Sequence, residues 1–326
     1  MSYDIIGDIH GEADKLEALL RKLGYVERGG CWSHPGRMAV FVGDFVDRGP
    51  AQLRAVTMAR RMVEEGKAQA VMGNHEFNAI AWHTPDPENT GDYLRPHFSE
   101  RWGDKNRHQH ARFLAEVESD AALHANLIGW FKTLPLWLDI PGIRVVHACW
   151  HSLFMDWLSP QLTGGQLIDG RVLAPATREP EDEAEKDNAT PSIFKAVEAL
   201  TKGIEIPLPE GHSFFDKDGF ERWRVRVRWW NGEGQTYRQA AIVADELRNR
   251  LPDTLIPAYA CAAAPTDKPI FFGHYWMTGK PTVLTDNAAC VDYSAGKDGP
   301  LVAYRWDGES RLSDSNLITT DEGRSL

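Results

Sequence analysis

Three short motifs hold most of the reactive side chains in the first 76 residues: Gly7-Asp8-Ile9-His10-Gly11, Gly43-Asp44-Phe45-Val46-Asp47-Arg48-Gly49 and Gly73-Asn74-His75-Glu76. Each follows an apolar, strand-like run and precedes a helical pattern. Together they offer carboxylates, imidazoles, an amide oxygen and a guanidinium at the carboxyl ends of neighbouring strands, where open α/β sheets place their sites. Asp8 and His10 flank Ile9, so one face of an extended turn presents both. Hard oxygen and imidazole donors suit Mn, Fe or Zn better than a sulfur-loving metal. Two such ions ~3.5–4 Å apart generate a hydroxide and clamp phosphate oxygens. One Asp-x-His is usually only a turn; three motifs in register point to phosphate-ester chemistry at a dinuclear centre.

The motifs resemble those of the phosphoprotein phosphatase family of calcineurin-like metallophosphoesterases, in its bacterial forms. That family includes serine/threonine phosphatases and the symmetrical diadenosine tetraphosphate hydrolases. The resemblance is dense over residues 5–82 and rests afterwards on two histidines, each just behind an apolar strand. It implies that Asp8 and His10 hold a first metal ion, that Asp44 bridges two ions, and that Asn74, His147 and His274 complete the ligand set. His75 matches the acid that protonates the leaving oxygen, and Asp47 the carboxylate that orients it. Arg48 matches a phosphate clamp, its planar fork suiting a tetrahedral oxyanion. The implied mechanism is direct in-line attack by a metal-bridging hydroxide with no phosphoenzyme, on two divalent ions, Mn first and Fe or Zn as alternatives. The implied fold is a four-layered α/β/β/α sandwich, two mixed sheets face to face with helices outside.

Two departures stand out. Ala148-Cys149-Trp150 follow His147 where the family usually has glycines. A second phosphate-binding arginine is expected between His147 and His274; Arg238, shortly after Trp229-Trp230-Asn231-Gly232, is the first choice and Arg228 the next.

The elements that must position these residues are legible in part. Strands are expected at 3–7, 38–42 and 69–72, with helices over 12–23, from Pro50 to about Glu65, and over 76–82. Residues 84–120, rich in Pro, His and charge, read as an excursion above the sheet, and 159–220 as a second one. A helix over 121–133 and two strands around Pro141-Gly142 lie between them. Arg222 to Trp230 alternates with period two and predicts a strand whose arginine face pairs with the acidic stretch 179–187. Residues 236–250 read as helical, and 270–306 as short strands closer to an antiparallel sheet. The whole chain, 1–326, reads as one catalytic domain with cap-like insertions at 84–120 and 159–220.

Bland readings apply elsewhere. Glu76, in a first helical turn, suits the helix dipole or supports a ligand from behind. His83, His97, His108, His110, His124, His151 and His212 read as ordinary surface or core histidines. Trp82, Trp102, Trp150, Trp229 and Trp230 read as packing before base stacking. Cys31, Cys149, Cys261 and Cys290 form no C-x-x-C pair, and Cys149 and Cys290 read as small buried residues.

The net charge of −11 speaks against nucleic acid or an anionic membrane as the main partner, and no run of about 20 apolar residues suggests a span. A cytoplasmic enzyme with no leader segment is expected. The substrate is expected to be a phosphoprotein, with a bis(5'-nucleosyl)-tetraphosphate or another small phosphate as the alternative. A non-catalytic scaffold is the reading from another class.

Overall fold

The computed structural model describes residues 1–215, 221–232, 234–260 and 267–320. Two mixed sheets form its centre. The first contains β1 (Ser2–Ile6), β2 (Arg37–Phe41), β3 (Ala68–Ala70), β8 (Val302–Trp306) and β9 (Leu317–Thr319), in the order β9-β8-β1-β2-β3. β1, β2 and β3 run parallel, with Ile5 beside Val40 and Val40 beside Gln69; β8 and β9 are antiparallel additions. The second contains β4 (Trp137–Ile140), β5 (Ile143–Val146), β6 (Ile270–Phe272) and β7 (Ala288–Cys290), in the order β7-β6-β5-β4. β5, β6 and β7 run parallel, which corrects the expectation of an antiparallel arrangement after Ile270.

Alternation along each strand divides the core in two, because successive side chains face opposite ways. Tyr3, Ile5, Val40, Ile143, Val145, Phe271, Ala289 and Tyr304 lie between the sheets in one buried cluster. Ile6, Ala39, Phe41, Val146, Ile270, Phe272, Ala288 and Ala303 turn outward into a second cluster shared with the helices. That is the expected α/β/β/α layering. A side chain such as Phe271, fully buried, contributes about 1.5–3 kcal/mol through removal from water, and truncation to Ala would cost about 3–5 kcal/mol once the cavity is included.

The helices are α1 (Ala13–Lys22), α2 (Gln52–Glu64), α3 (Asn74–His83), α4 (Gly103–Val117), α5 (Ala121–Phe131), α6 (Ser152–Leu158), α7 (Gly170–Thr177) and α8 (Ile193–Lys202). α1 turns Leu16, Leu19 and Leu20 to the first sheet, as its i, i+3, i+4 stripe requires. α4 was not expected: residues 103–117 offer only Phe113, Leu114 and Val117 as an apolar stripe amid charge. α8 starts at its cap Ser192 and stops at Gly203, whose φ of +79° suits glycine.

The arginine stretch is less regular than expected. Strands are confined to Glu221–Arg222 and Arg224–Arg226, Val227 makes a lone bridge to Ala241, and Trp229–Asn231 is a 3₁₀ turn. Arg224 does pair with the acidic stretch, reaching Asp187 at 2.7 Å and Glu183 at 3.1 Å. The helix expected over 236–250 is two single turns, Tyr237–Ala240 and Asp245–Arg248. Trp229 and Trp230 pack against the outer face of Phe272, so they cover the second sheet. Cys149 and Cys290 are buried; Cys261 lies outside the described residues. Among the described residues no helix is long and apolar enough to cross a membrane.

Candidate metal centre and phosphate site

Six parallel strands deliver one polar residue each to a common point. Asp8 follows β1, Asp44 follows β2, and Asn74 opens α3 behind β3. His147 follows β5, His274 follows β6 and Asp292 follows β7. His274 N donates to Asp8 Oδ2 at 3.0 Å, joining the two groups of strands there, and within the second sheet Gly273 N donates to the His147 carbonyl at 2.8 Å.

The sequence-expected ligands come together. Donor atoms of His10, Asp44 and His75 lie within 4.8 Å of one another, and so do those of Asp44, His147 and His274. Asp44 is common to both groups. A carbonyl oxygen only accepts, so His10 Nδ1 donates to Val46 O at 3.0 Å and His147 Nδ1 to Val42 O at 2.7 Å. Both rings are thereby fixed with Nε2 turned to Asp44 Oδ2, at 3.7 and 3.4 Å. Asn74 Oδ1 is 2.9 Å from His274 Nδ1 and 3.1 Å from His147 Nε2.

The donor set fits divalent ions. Asp8 Oδ1, His10 Nε2 and His274 Nε2 are buried polar atoms with no hydrogen-bond partner. Each such atom costs about 1–3 kcal/mol if left unpaired, and oxygen plus imidazole donors are what a hard or borderline cation takes. Burial disfavours charge on His147, yet Asp44 outweighs it and raises the ring to about 10. A proton is thus held beside Asp44, where a cation would sit. Burial would raise Asp44 too, but His147, His75 and His10 hold it well below the usual carboxylate range. Burial and the neighbouring His75 push His10 down to about 3, and burial with the charge of Arg226 pushes His274 well down.

Backbone strain concentrates here. Of the eight non-glycine residues with positive φ among the described ones, six are His10, Asp44, Asp47, Arg48, His274 and Trp276. Conformations that cost about 1–3 kcal/mol each persist where surrounding bonds enforce them. Glu76 supplies such bonds: its carboxylate accepts from Asp44 N and Phe45 N, both at 2.8 Å, and from Gly73 N at 3.0 Å. It joins the loops after β2 and β3.

His75 reaches the cluster by its Nε2, 3.9 Å from Asp44 Oδ2, while its Nδ1 lies 2.5 Å from Asp47 Oδ2. Burial works against charge on this ring, but Asp44 and the Asp47 hydrogen bond raise its pKa. Arg48 lies with its guanidinium 4.2 Å over the Trp276 ring. Trp276 also stacks on His10 at 5.3 Å between centroids.

A family model described as calcineurin-like phosphoesterase matches residues 1–155, a stretch that includes four of the six strand-end residues, Asp8, Asp44, Asn74 and His147, and not those after β6 and β7. Over that stretch the chain is similar to calcineurin-like phosphoesterases. Over 76 residues it is 47% identical to the asymmetrical bis(5'-nucleosyl)-tetraphosphatase PrpE of Halalkalibacterium halodurans, covering 23% of this chain and 31% of that protein. The PrpE of Bacillus subtilis strain 168 is 45% identical over 76 residues, with the same shares. The chain spans about a third of the length of the curated relatives it matches. A solved protein serine/threonine phosphatase from Saccharomyces cerevisiae aligns over 98% of this chain and 78% of its own at 17% identity, with a TM-score of 0.46.

The structure departs from the sequence-based expectations at several residues. Arg238 is not brought to the cluster: its guanidinium is exposed and donates to the Leu251 carbonyl at 3.1 and 3.2 Å. The period-two stretch places Arg226 nearer, since its charge acts on His274, and Arg226 pairs with Glu205 at 3.4 Å. His151 caps α6 and faces the Tyr259 carbonyl at 3.2 Å, away from the cluster. His110, read as an ordinary histidine, lies 2.7 Å from Asp47 Oδ1. Asp292 and Trp276 were not singled out. Asp292 accepts from Trp276 N at 2.7 Å and Ser294 N at 2.9 Å, which holds the loop bearing Trp276. Asp292, just behind the apolar run ending at Val291, was open to the same strand-end argument as Asp8.

Proposed function

We propose that this chain is a hydrolase of phosphate esters or anhydrides that works on two divalent metal ions, manganese first among them. The observation that carries the reading is Asp44, common to two groups of ligand atoms at the meeting point of six strand ends. Asp8, His10, Asp44, Asn74, His147 and His274 would hold the ions. Two bound ions would lower the pKa of a coordinated water and neutralise phosphate charge.

The chain's own residues do the rest. Arg48, kept in place by Trp276, offers its planar fork to phosphate oxygens as charge develops on them. Asp47 holds His75 by Nδ1, so the ring's proton at Nε2 faces the centre and can pass to the departing oxygen. Segments 84–120 and 159–220 are proposed to border the substrate, and His110, from the first, already reaches Asp47.

Between the two substrate classes, the names of the PrpE relatives support a dinucleoside tetraphosphate over a phosphoprotein. Ion-exchange analysis after manganese-loaded protein meets diadenosine tetraphosphate tests this. ATP with AMP would mean asymmetrical cleavage, as the relatives' names describe, and ADP alone symmetrical cleavage. Hydrolysis of a phosphoserine peptide and of p-nitrophenyl phosphate, without nucleotide turnover, would restore the phosphoprotein reading. Failure on all three substrates with metal bound would overturn the proposal and favour a scaffold.

A further inference from the structure

Asp47 accepts from two imidazoles at once. Its Oδ2 lies 2.5 Å from His75 Nδ1 and its Oδ1 lies 2.7 Å from His110 Nδ1. An ionised carboxylate only accepts, so both rings must donate from Nδ1. All three groups are buried, with residue exposures of 2%, 8% and 2% for Asp47, His75 and His110. Asp47 is further pinned through its backbone, N donating to Gln52 Oε1 at 2.6 Å, in a left-handed conformation of φ +71°.

His110 comes from α4, 63 residues along the chain from Asp47. Its ring is wedged against Trp82 and Phe113, at 6.1 and 5.0 Å between centroids. The same helix makes a second polar attachment: the Glu116 carboxylate accepts from Gln52 N at 2.8 Å and Leu53 N at 2.9 Å, at the start of α2. α4 is therefore fastened at both ends of the Asp47–Leu53 stretch. A buried carboxylate with one acceptor satisfied and one free turns about its Cβ–Cγ bond or draws in water. With both oxygens engaged, its plane is fixed, and so is the direction from which His75 is held.

We propose that His110 is a positioning residue: through Asp47 it sets the ring plane and the Nδ1–H tautomer of His75, and so the aim of His75 Nε2. The inference rests on the reading of His75 as the proton donor to the leaving group. The proton balance is simple. As a water oxygen forms its bond to phosphorus and the P–O bond to the leaving group breaks, His75 gives its Nε2 proton to the departing oxygen and afterwards recovers the one that the attacking water has released, while Asp47 stays ionised and His110 keeps its Nδ1 proton.

A positioning role makes a prediction that a packing role does not. Without His110, reactions that need a proton should suffer most. His110→Ala and His110→Asn are compared in manganese-loaded protein on phenyl phosphate, p-nitrophenyl phosphate and 2,4-dinitrophenyl phosphate. The asparagine amide retains an N–H donor near the Nδ1 position. His110→Ala is expected to lower kcat on phenyl phosphate by about 10- to 100-fold, the scale of general-acid effects, and by much less on the dinitrophenyl ester. The leaving-group dependence of kcat should therefore steepen, His110→Asn should recover most of the loss, and His110→Ala should add nothing in a His75→Ala background. Equal losses on all three esters would overturn the proposal. Independently of turnover, ¹⁵N-edited NMR of the metal-free protein should show the His75 Nδ1–H resonance shifted in His110→Ala and restored in His110→Asn; an unmoved resonance would also overturn it. If the wild type hydrolyses nothing, the phosphohydrolase reading fails, and the NMR comparison still decides whether His110 sets the tautomer and environment of His75.

Discussion

The guanidinium of Arg48 lies 4.2 Å above the ring of Trp276, two residues past His274 and 228 positions along the chain. Arg48 and Trp276 both have positive φ, at +75° and +53°. Burial alone pushes the Arg48 pKa down, and Asp44, Asp47, Asp292 and Asp8 work against that. A flexible arginine is thereby held over a fixed surface, so less of its rotamer freedom is lost when phosphate binds.

Trp276→Leu should therefore weaken the clamp without removing it. A cation–π contact is worth about 0.5–2 kcal/mol, so kcat/KM should fall by about 2- to 30-fold, and Arg48→Ala should cost more. The double variant should lose no more than Arg48→Ala alone. Additive losses would show that Trp276 acts on something other than Arg48.

Asp44 is the residue common to both ligand groups, and its substitution separates metal binding from folding. Asp44→Asn keeps an oxygen that can still accept from His75 N, a bond of 2.9 Å. The variant should fold, yet turnover should fall by about 10³-fold or more, ~4 kcal/mol of barrier. An ion at 100 times its Kd stabilises a folded protein by about 2.7 kcal/mol. Manganese should accordingly raise the wild-type Tm and chelation reverse it, with little response in the variant. Equal Tm shifts in both proteins would remove Asp44 as a ligand.

His124 offers a pH dependence away from the cluster. The ring is buried between His83 and Phe113, and its Nε2 has no hydrogen-bond partner. Burial, then His83 and His110, lower it from 6.5 to about 4, with Glu118 opposing. Between those values the unfolded chain binds more protons, so stability falls as pH drops from about 6.5 to about 4. His124→Leu should lose less Tm than the wild type between pH 7 and pH 4.5. Parallel curves would place the acid sensitivity elsewhere.

What the sequence discloses and what it hides divide along physical lines. Strands β1 to β3 and their helices are short-range patterns, apolar runs followed by i, i+3, i+4 stripes, and the strand-end rule then picks out Asp8, Asp44 and Asn74. His147 and His274 are legible for the same reason. α4 is hidden because most of its surface is solvated and only three apolar residues mark its buried side. Its contact with Asp47 spans 63 residues and leaves no local trace. Arg238 stands between the two histidines in the sequence, but a short turn directs it to the Leu251 carbonyl. Trp276 owes its position to a left-handed backbone and to Asp292, neither visible in residue spacing.

Gly273 shows how closely the two sheets must approach for the ligands to meet. It sits between β6 and His274, and its N donates to the His147 carbonyl at 2.8 Å. A Cβ there would stand 1.9 Å from Asp8 Oδ1 and 2.8 Å from Val42 Cγ2. Asp8 has little room to yield, since its other oxygen accepts from His274 N. Gly273→Ala must then either turn the Asp8 carboxylate or push β6 from the first sheet, and both separate Asp8 from His274. Loss of ligand alignment typically weakens metal affinity by about 10- to 100-fold, and overpacking costs about 1–3 kcal/mol of stability. Gly129→Ala is the matched control, because a Cβ at that exposed position in α5 meets nothing within 4 Å. Titration calorimetry with manganese should show weaker binding in Gly273→Ala and wild-type binding in Gly129→Ala. Wild-type affinity in both would mean that Asp8 is not held against the metal in the way its contact with His274 suggests.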